Sequence, residues 1–207
     1  MHPTLTHDAA GLWLTSPYHP DAVTRAQQLG GTWDRGRRAW RFAPSQLAAV
    51  RQLCRAVYGV DPAGEAPPRV TVRVALDALP HAVVDTGSLY LLGRLLLRRF
   101  ARDSRVQLGE GVAVVTGGFA PSGGSRQHPR ISPLAGTVLQ VEDVPRPLAE
   151  ATAERLPGAL TLLAAADPLE PLEAELTRRL QVLPPARQRA WLEARLAEHA
   201  AAALRGE

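Results

Sequence analysis

Four residues, Pro20, Gly30, Pro44 and Gly59, punctuate the first sixty positions and decide what this stretch can fold into. Proline is tolerated in the first helical turn, where its missing N–H is not needed, and glycine ends helices by entering the left-handed region without steric cost. The two Pro–Gly pairs therefore bracket two helices. The second carries Leu47, Val50, Leu53, Cys54 and Val57 at helical spacing. Before the first helix, Leu12, Trp13 and Leu14 suggest a short strand. Between the helices, residues 32–34 and 39–42 read as a hairpin around Arg35, Gly36, Arg37 and Arg38, with Gly36 expected to supply the positive φ of the turn. The order is β-α-β-β-α.

Beyond this module, spanning residues 1–60, the proline-rich stretch 61–69 (DPAGEAPPR) reads as a linker. A middle domain, 70–144, opens with Val70, Val72 and Val74 alternating with polar residues, as a half-buried strand requires. The spacing predicts a helix from 88 to about 102. Strands at 111–116 and 137–141 then flank the glycine-rich loop 117–136, giving a mixed α/β domain. Residues 145–207 turn to Ala, Leu, Glu and Arg and read as a helical tail, with a stripe of Leu169, Leu172, Leu176, Leu180 and Leu183. The expected class is α+β.

Charge placement narrows the chemistry. All 24 cationic residues are Arg, so a P-loop lysine or a Schiff-base lysine is excluded. Residues 1–60 hold seven Arg against three acids, a net +4; residues 61–150 hold ten against nine, and residues 151–207 seven against eight. The basic excess belongs to the first two pieces. The six histidines are scattered and Cys54 stands alone on an apolar helical face, so neither a metal site nor another cofactor is expected. The N-terminus lacks a secretory pattern and no apolar run reaches membrane-spanning length, which makes the cytoplasm the expected compartment and excludes a membrane partner.

Three motifs carry candidate chemistry, each beside a structural reading. On the hairpin, strand alternation points Trp40 and Phe42 into the core and Arg41 out, so Arg35, Arg37, Arg38 and Arg41 form a guanidinium cluster beside Trp33. Trp33 and Trp13 are the rings available for stacking on a base. The alternative is a solvated hairpin whose tryptophans fill a small core. Along the expected helix 88–102 and its continuation, Arg94, Arg98, Arg102 and Arg105 form one stripe opposite Leu89, Leu92, Leu96 and Phe100. An ordinary amphipathic helix with a solvated face is the favoured reading of that stripe, ahead of a DNA contact. The loop 117–136 could cradle a phosphate with freed backbone N–H groups and with Arg126 and Arg130, or serve as a simple connection; Ser125 with His128 is a weak hydrolase pair.

The run SPYHPDAVTRAQQLGGTWDRGRRAWRFAPSQLAAVRQL resembles the HARP domain of annealing helicases. The resemblance rests on a polar start, a helix, the Trp33–Asp34 pair, a basic turn, Trp-x-Phe at Trp40 to Phe42 and a second helix, over about a quarter of the chain. It implies DNA binding for Arg35, Arg37, Arg38 and Arg41, with single-stranded or junction DNA as the target. No motor accompanies it. The expectation is a non-enzymatic DNA-binding protein of repair, annealing or replication, with a homodimer through the C-terminal helices; the alternative is a protein-interaction module without nucleic-acid binding.

Overall fold

The first module has the expected elements with one strand added in front. β1 (Thr4–Asp8) pairs antiparallel with β2 (Gly11–Thr15), and β3 (Thr32–Asp34) and β4 (Ala39–Phe42) complete a sheet of order β1-β2-β4-β3. The helices are α1 (Pro20–Gln28) and α2 (Leu47–Tyr58), the latter entered through a 3-10 turn at Pro44–Gln46. Gly59 closes α2 at φ 69°, as its position in the sequence required. In this computed structural model the described residues are 2–9 and 11–163, all within one compact unit.

Strand register sorts the side chains into two rows. Leu5, Leu14, Trp40 and Trp33 lie opposite one another across the sheet, and so do Thr6, Trp13, Arg41 and Thr32. Neighbours in such a row share one face. The first row faces the helices, where Leu12, Leu14, Trp40 and Phe42 pack with Ala22, Ala26, Val50, Leu53, Cys54 and Val57. The second row forms the outer face. Burial holds the Cys54 thiol up at about 12, which makes it an inert core side chain.

In the middle domain β5 (Arg69–Ala75) lies between β10 (Val138–Pro145) and β11 (Leu160–Leu162), and β9 (Val112–Thr116) is the far edge beyond β10. A short helix, α3 (His81–Val84), leads to a second sheet that runs β6 (Ser88–Leu91), β7 (Arg94–Arg98), β8 (Gln107–Leu108). Side chains from both sheets, together with Ala149 of α4 (Arg146–Arg155), share one core.

Two expectations are corrected here. The helix expected from 88 to about 102 is the β6–β7 hairpin, turned by Leu92 at φ 55° and Gly93 at φ 73°. Two consecutive positive φ values suit a two-residue turn between antiparallel strands and cannot occur within a right-handed helix. The second correction concerns residues from 145 on, expected to begin a helical tail. They supply α4 and then β11, which pairs with β5 and extends the sheet. The leucine stripe 169–183 and the expected dimer contact lie outside the described residues. Among those described, no helix is long and apolar enough to cross a membrane.

Candidate nucleic-acid interface

The hairpin tip is shaped by Asp34, whose Oδ1 accepts from the Arg37 N–H at 2.8 Å and so folds residues 35–38 into a four-residue loop. The positive φ expected at Gly36 falls instead on Arg38, at 52°. In a loop of this length the left-handed residue comes last, where it returns the chain to its partner strand. Arg35, Arg37, Arg38 and Arg41 are all exposed.

Among the described residues, Arg37 is the one of these four that is engaged. Arg37 Nη1 contacts Asp8 Oδ2 at 2.6 Å, and its guanidinium lies over the Trp13 ring, 4.1 Å from the centroid. Asp8 Oδ1 also accepts from Trp13 Nε1 at 2.8 Å, so carboxylate, indole and guanidinium form one outer-face cluster. Trp13 is only 5% exposed. The expectation that Trp13 offers a stacking surface is therefore corrected: Arg37 occupies its face. Arg35, Arg38 and Arg41 pair with no carboxylate among the described residues.

Trp33 remains 45% exposed, at the open edge of the sheet, and meets Trp40 edge-to-face at 5.5 Å. It shares the face of Trp40 rather than that of Arg41. The expected cluster beside Trp33 thus divides, with the ring on one side of the edge and Arg41 on the other.

The four arginines of the expected helical stripe do not form a stripe. Arg94 starts β7, where Nη1 and Nη2 donate to the carbonyls of Glu142 and Asp143 at 3.2 and 2.6 Å, and burial lowers its pKa. Arg98 ends the same strand, lying over the Phe100 ring at 4.3 Å. Arg102 meets Asp103 at 3.0 Å, and Arg105 is exposed in the turn before β8.

The glycine-rich loop is organised around a cation that the sequence did not single out. Arg99 is 2% exposed and donates to five carbonyls, those of Arg102, Ser104, Pro121, Ala120 and Ile131. No carboxylate is among these partners, and Nε is buried without any partner. Four of the loop's N–H groups are already bonded: those of Gly118, Gly123, Ser125 and Arg130 donate to Thr137 Oγ1 and to the carbonyls of Arg102, His128 and Gly123. A backbone phosphate cradle at these amides is accordingly excluded, since a loop that turns its carbonyls on a buried guanidinium uses its donors to close itself. Ser125 Oγ accepts from the His128 backbone N–H at 3.0 Å, a turn contact rather than a nucleophile–imidazole pair. Arg126 is exposed and Arg130 pairs with Asp85 at 2.9 Å.

The fold therefore gathers Arg98, Arg130 and Phe100 at one cleft, and Arg35, Arg37, Arg38 and Arg41 at the hairpin, while Arg94 is held elsewhere by carbonyls. Sequence reasoning missed Asp8, Asp85 and Arg99. Only Arg99 had a signal, as the second of two arginines closing an apolar run. Among the described residues no group of three or more His, Cys, Asp or Glu side chains could hold a metal ion. No protein-family model matches the chain, and no curated protein or solved structure matches it.

Proposed function

We propose that the chain is a non-enzymatic DNA-binding protein for single-stranded or junction DNA, acting in repair, annealing or replication. The observation that carries this reading is the hairpin: Arg35, Arg38 and Arg41 are exposed and unmatched by carboxylate among the described residues. Guanidiniums left without carboxylates suit the phosphate backbone, which they contact through paired N–H donors. Trp33, half-exposed at the sheet edge, is suited to stacking on an unpaired base. The resemblance of residues 16–53 to the HARP domain supports the same reading.

Fluorescence anisotropy with a labelled single-stranded oligonucleotide tests it. With about six phosphates contacted, affinity falls roughly a thousandfold between 50 and 200 mM salt. Absence of binding at the lower salt removes the proposal.

A second reading, a protein-interaction module, is favoured by β9. This strand, at the sheet's edge among the described residues, leaves Val114 and Val115 36% and 42% exposed and carries no charge or proline to guard that edge.

A further inference from the structure

We infer that the cleft between the turn 85–88 and the loop 127–130 receives one unpaired nucleotide of the bound strand, its phosphate on Arg98 and Arg130 and its base against Phe100. The inference rests on the DNA-binding reading and names a subsite within it.

The cleft has a volume of about 450 Å³, in the range of small-molecule sites and larger than a lone phosphate needs. Its walls are Asp85, Thr86, Gly87 and Ser88 on one side, with Arg98, Arg99 and Phe100 behind and residues 127–130 opposite. Both walls are fixed by the backbone. The Arg99 N–H donates to the Gly87 carbonyl at 2.8 Å and the Ile131 N–H to the Thr86 carbonyl at 2.9 Å, so the turn is tied to β7 and to the loop. The site is preformed.

Its charge is unbalanced. Two exposed guanidiniums, Arg98 and Arg130, line it against the single carboxylate of Asp85, and Arg99 adds a buried cation behind the wall. Asp85 is already matched by Arg130 at 2.9 Å. Arg99 has only carbonyl partners, so its charge is offset by dipoles and by no carboxylate. A buried cation without a counter-ion raises the potential of the surface above it, because the low-dielectric interior screens it poorly. An anion entering the cleft meets that potential together with two exposed guanidiniums.

The aromatic ring decides the class of anion. Phe100 is 57% exposed, and Arg98 lies over it at 4.3 Å. A large apolar side chain left in water beside a cationic wall gains by covering its surface, and a nucleobase does so with its π-face while its phosphate takes the arginines. Phosphate alone leaves uncovered the part of the ring that Arg98 does not shield. A base within a duplex cannot reach it without unstacking, a penalty that an unpaired base is spared.

The test uses the full chain and a single-stranded oligonucleotide with one 5-iododeoxyuridine, which photocrosslinks to a stacked aromatic ring. Two expected results together support the site: a crosslink mapped by mass spectrometry to Phe100, and about tenfold weaker binding by Phe100→Ala. That variant keeps the wild-type melting temperature, because the ring is largely exposed; Arg98→Ala, which strips the guanidinium from the ring, serves as the second variant. If either half is missing, with crosslinks confined to Trp33 or with the variants binding within twofold of wild type, the subsite is overturned and hairpin binding stands. Failure of the wild-type chain to bind any oligonucleotide removes the DNA-binding reading itself and the subsite with it.

Discussion

Two of the β-hairpins in this chain are built by opposite rules. The β3–β4 hairpin turns in solvent: its loop 35–38 carries three arginines, and its one left-handed residue is Arg38. The β6–β7 hairpin turns inside the protein. Its Leu92 is 4% exposed, and a Cβ placed on Gly93 would lie 2.8 Å from the Val57 carbonyl oxygen and 3.1 Å from the Tyr58 Cα, at the end of α2. A turn in water needs charge and a side-chain hydrogen bond, whereas a turn pressed against a helix needs an apolar residue and the absence of one Cβ. The first leaves Arg35, Arg38 and Arg41 exposed with no carboxylate partner among the described residues; the second joins the middle domain to the first module.

That contrast predicts the largest effect. Gly93→Ala combines a left-handed alanine with a backbone clash and should cost about 3 kcal/mol or more. At Gly36, where φ is not positive and the nearest atom to a Cβ would be the Asp34 carboxylate at 3.3 Å, the same change should stay within about 0.5 kcal/mol. Urea denaturation of both variants is the check, and equal losses would erase the distinction between the turns.

Next come the two tryptophans that meet at the first hairpin. Trp40 is 8% exposed and sits in the core, so Trp40→Ala should cost about 3 to 5 kcal/mol. Trp33 contributes its edge contact from a half-exposed position, and Trp33→Ala should cost about 1 kcal/mol. Thermal melts rank them; a larger loss at Trp33 would overturn the assignment of Trp40 to the core and of Trp33 to the open edge.

The smallest effect is expected at His19, where the first module meets the β6–β7 hairpin. The ring packs edge-to-face on Tyr58 at 6.3 Å and Tyr90 at 5.6 Å, and its Nδ1 caps α1 by accepting from the Asp21 N–H. Burial lowers its pKa from 6.5, against a weaker opposing pull from Asp21. The folded chain therefore holds His19 neutral where the unfolded chain begins to bind a proton, so this stability is present above pH 6.5 and is lost as pH falls through the lowered value. His19→Asn, which keeps a capping oxygen and does not titrate, should flatten stability between pH 7 and 5. An undiminished slope in that variant would assign the pH dependence to other groups.

How much the sequence disclosed follows the same division. The first module was legible because its turns face water, where Pro20, Gly30, Pro44 and Gly59 stand out against apolar periodicity. β1 was overlooked although Thr4, Leu5 and Thr6 alternate, since a short polar strand paired along one edge has little apolar signal. The β6–β7 hairpin read as a helix because a buried turn replaces polar punctuation with leucine: Leu89, Leu92 and Leu96 satisfy a helical period while Leu89 and Leu91 satisfy a strand period. Only Gly93 told the two apart. Of the candidate site, exposure at Arg35, Arg38 and Arg41 was legible from alternation and turn composition. The capture of Arg37 by Asp8 was not, because it joins residues 29 positions apart.

We propose that the solvent-facing hairpin presents Arg35, Arg38 and Arg41, unmatched by carboxylate among the described residues, to phosphates. The direct measurement is the slope of log affinity against log salt concentration for a single-stranded oligonucleotide, taken on the wild-type chain and on Arg35→Ala/Arg38→Ala/Arg41→Ala. Loss of three phosphate contacts should flatten the slope by about 2 and leave the melting temperature unchanged. A slope identical in the two proteins would contradict the claim.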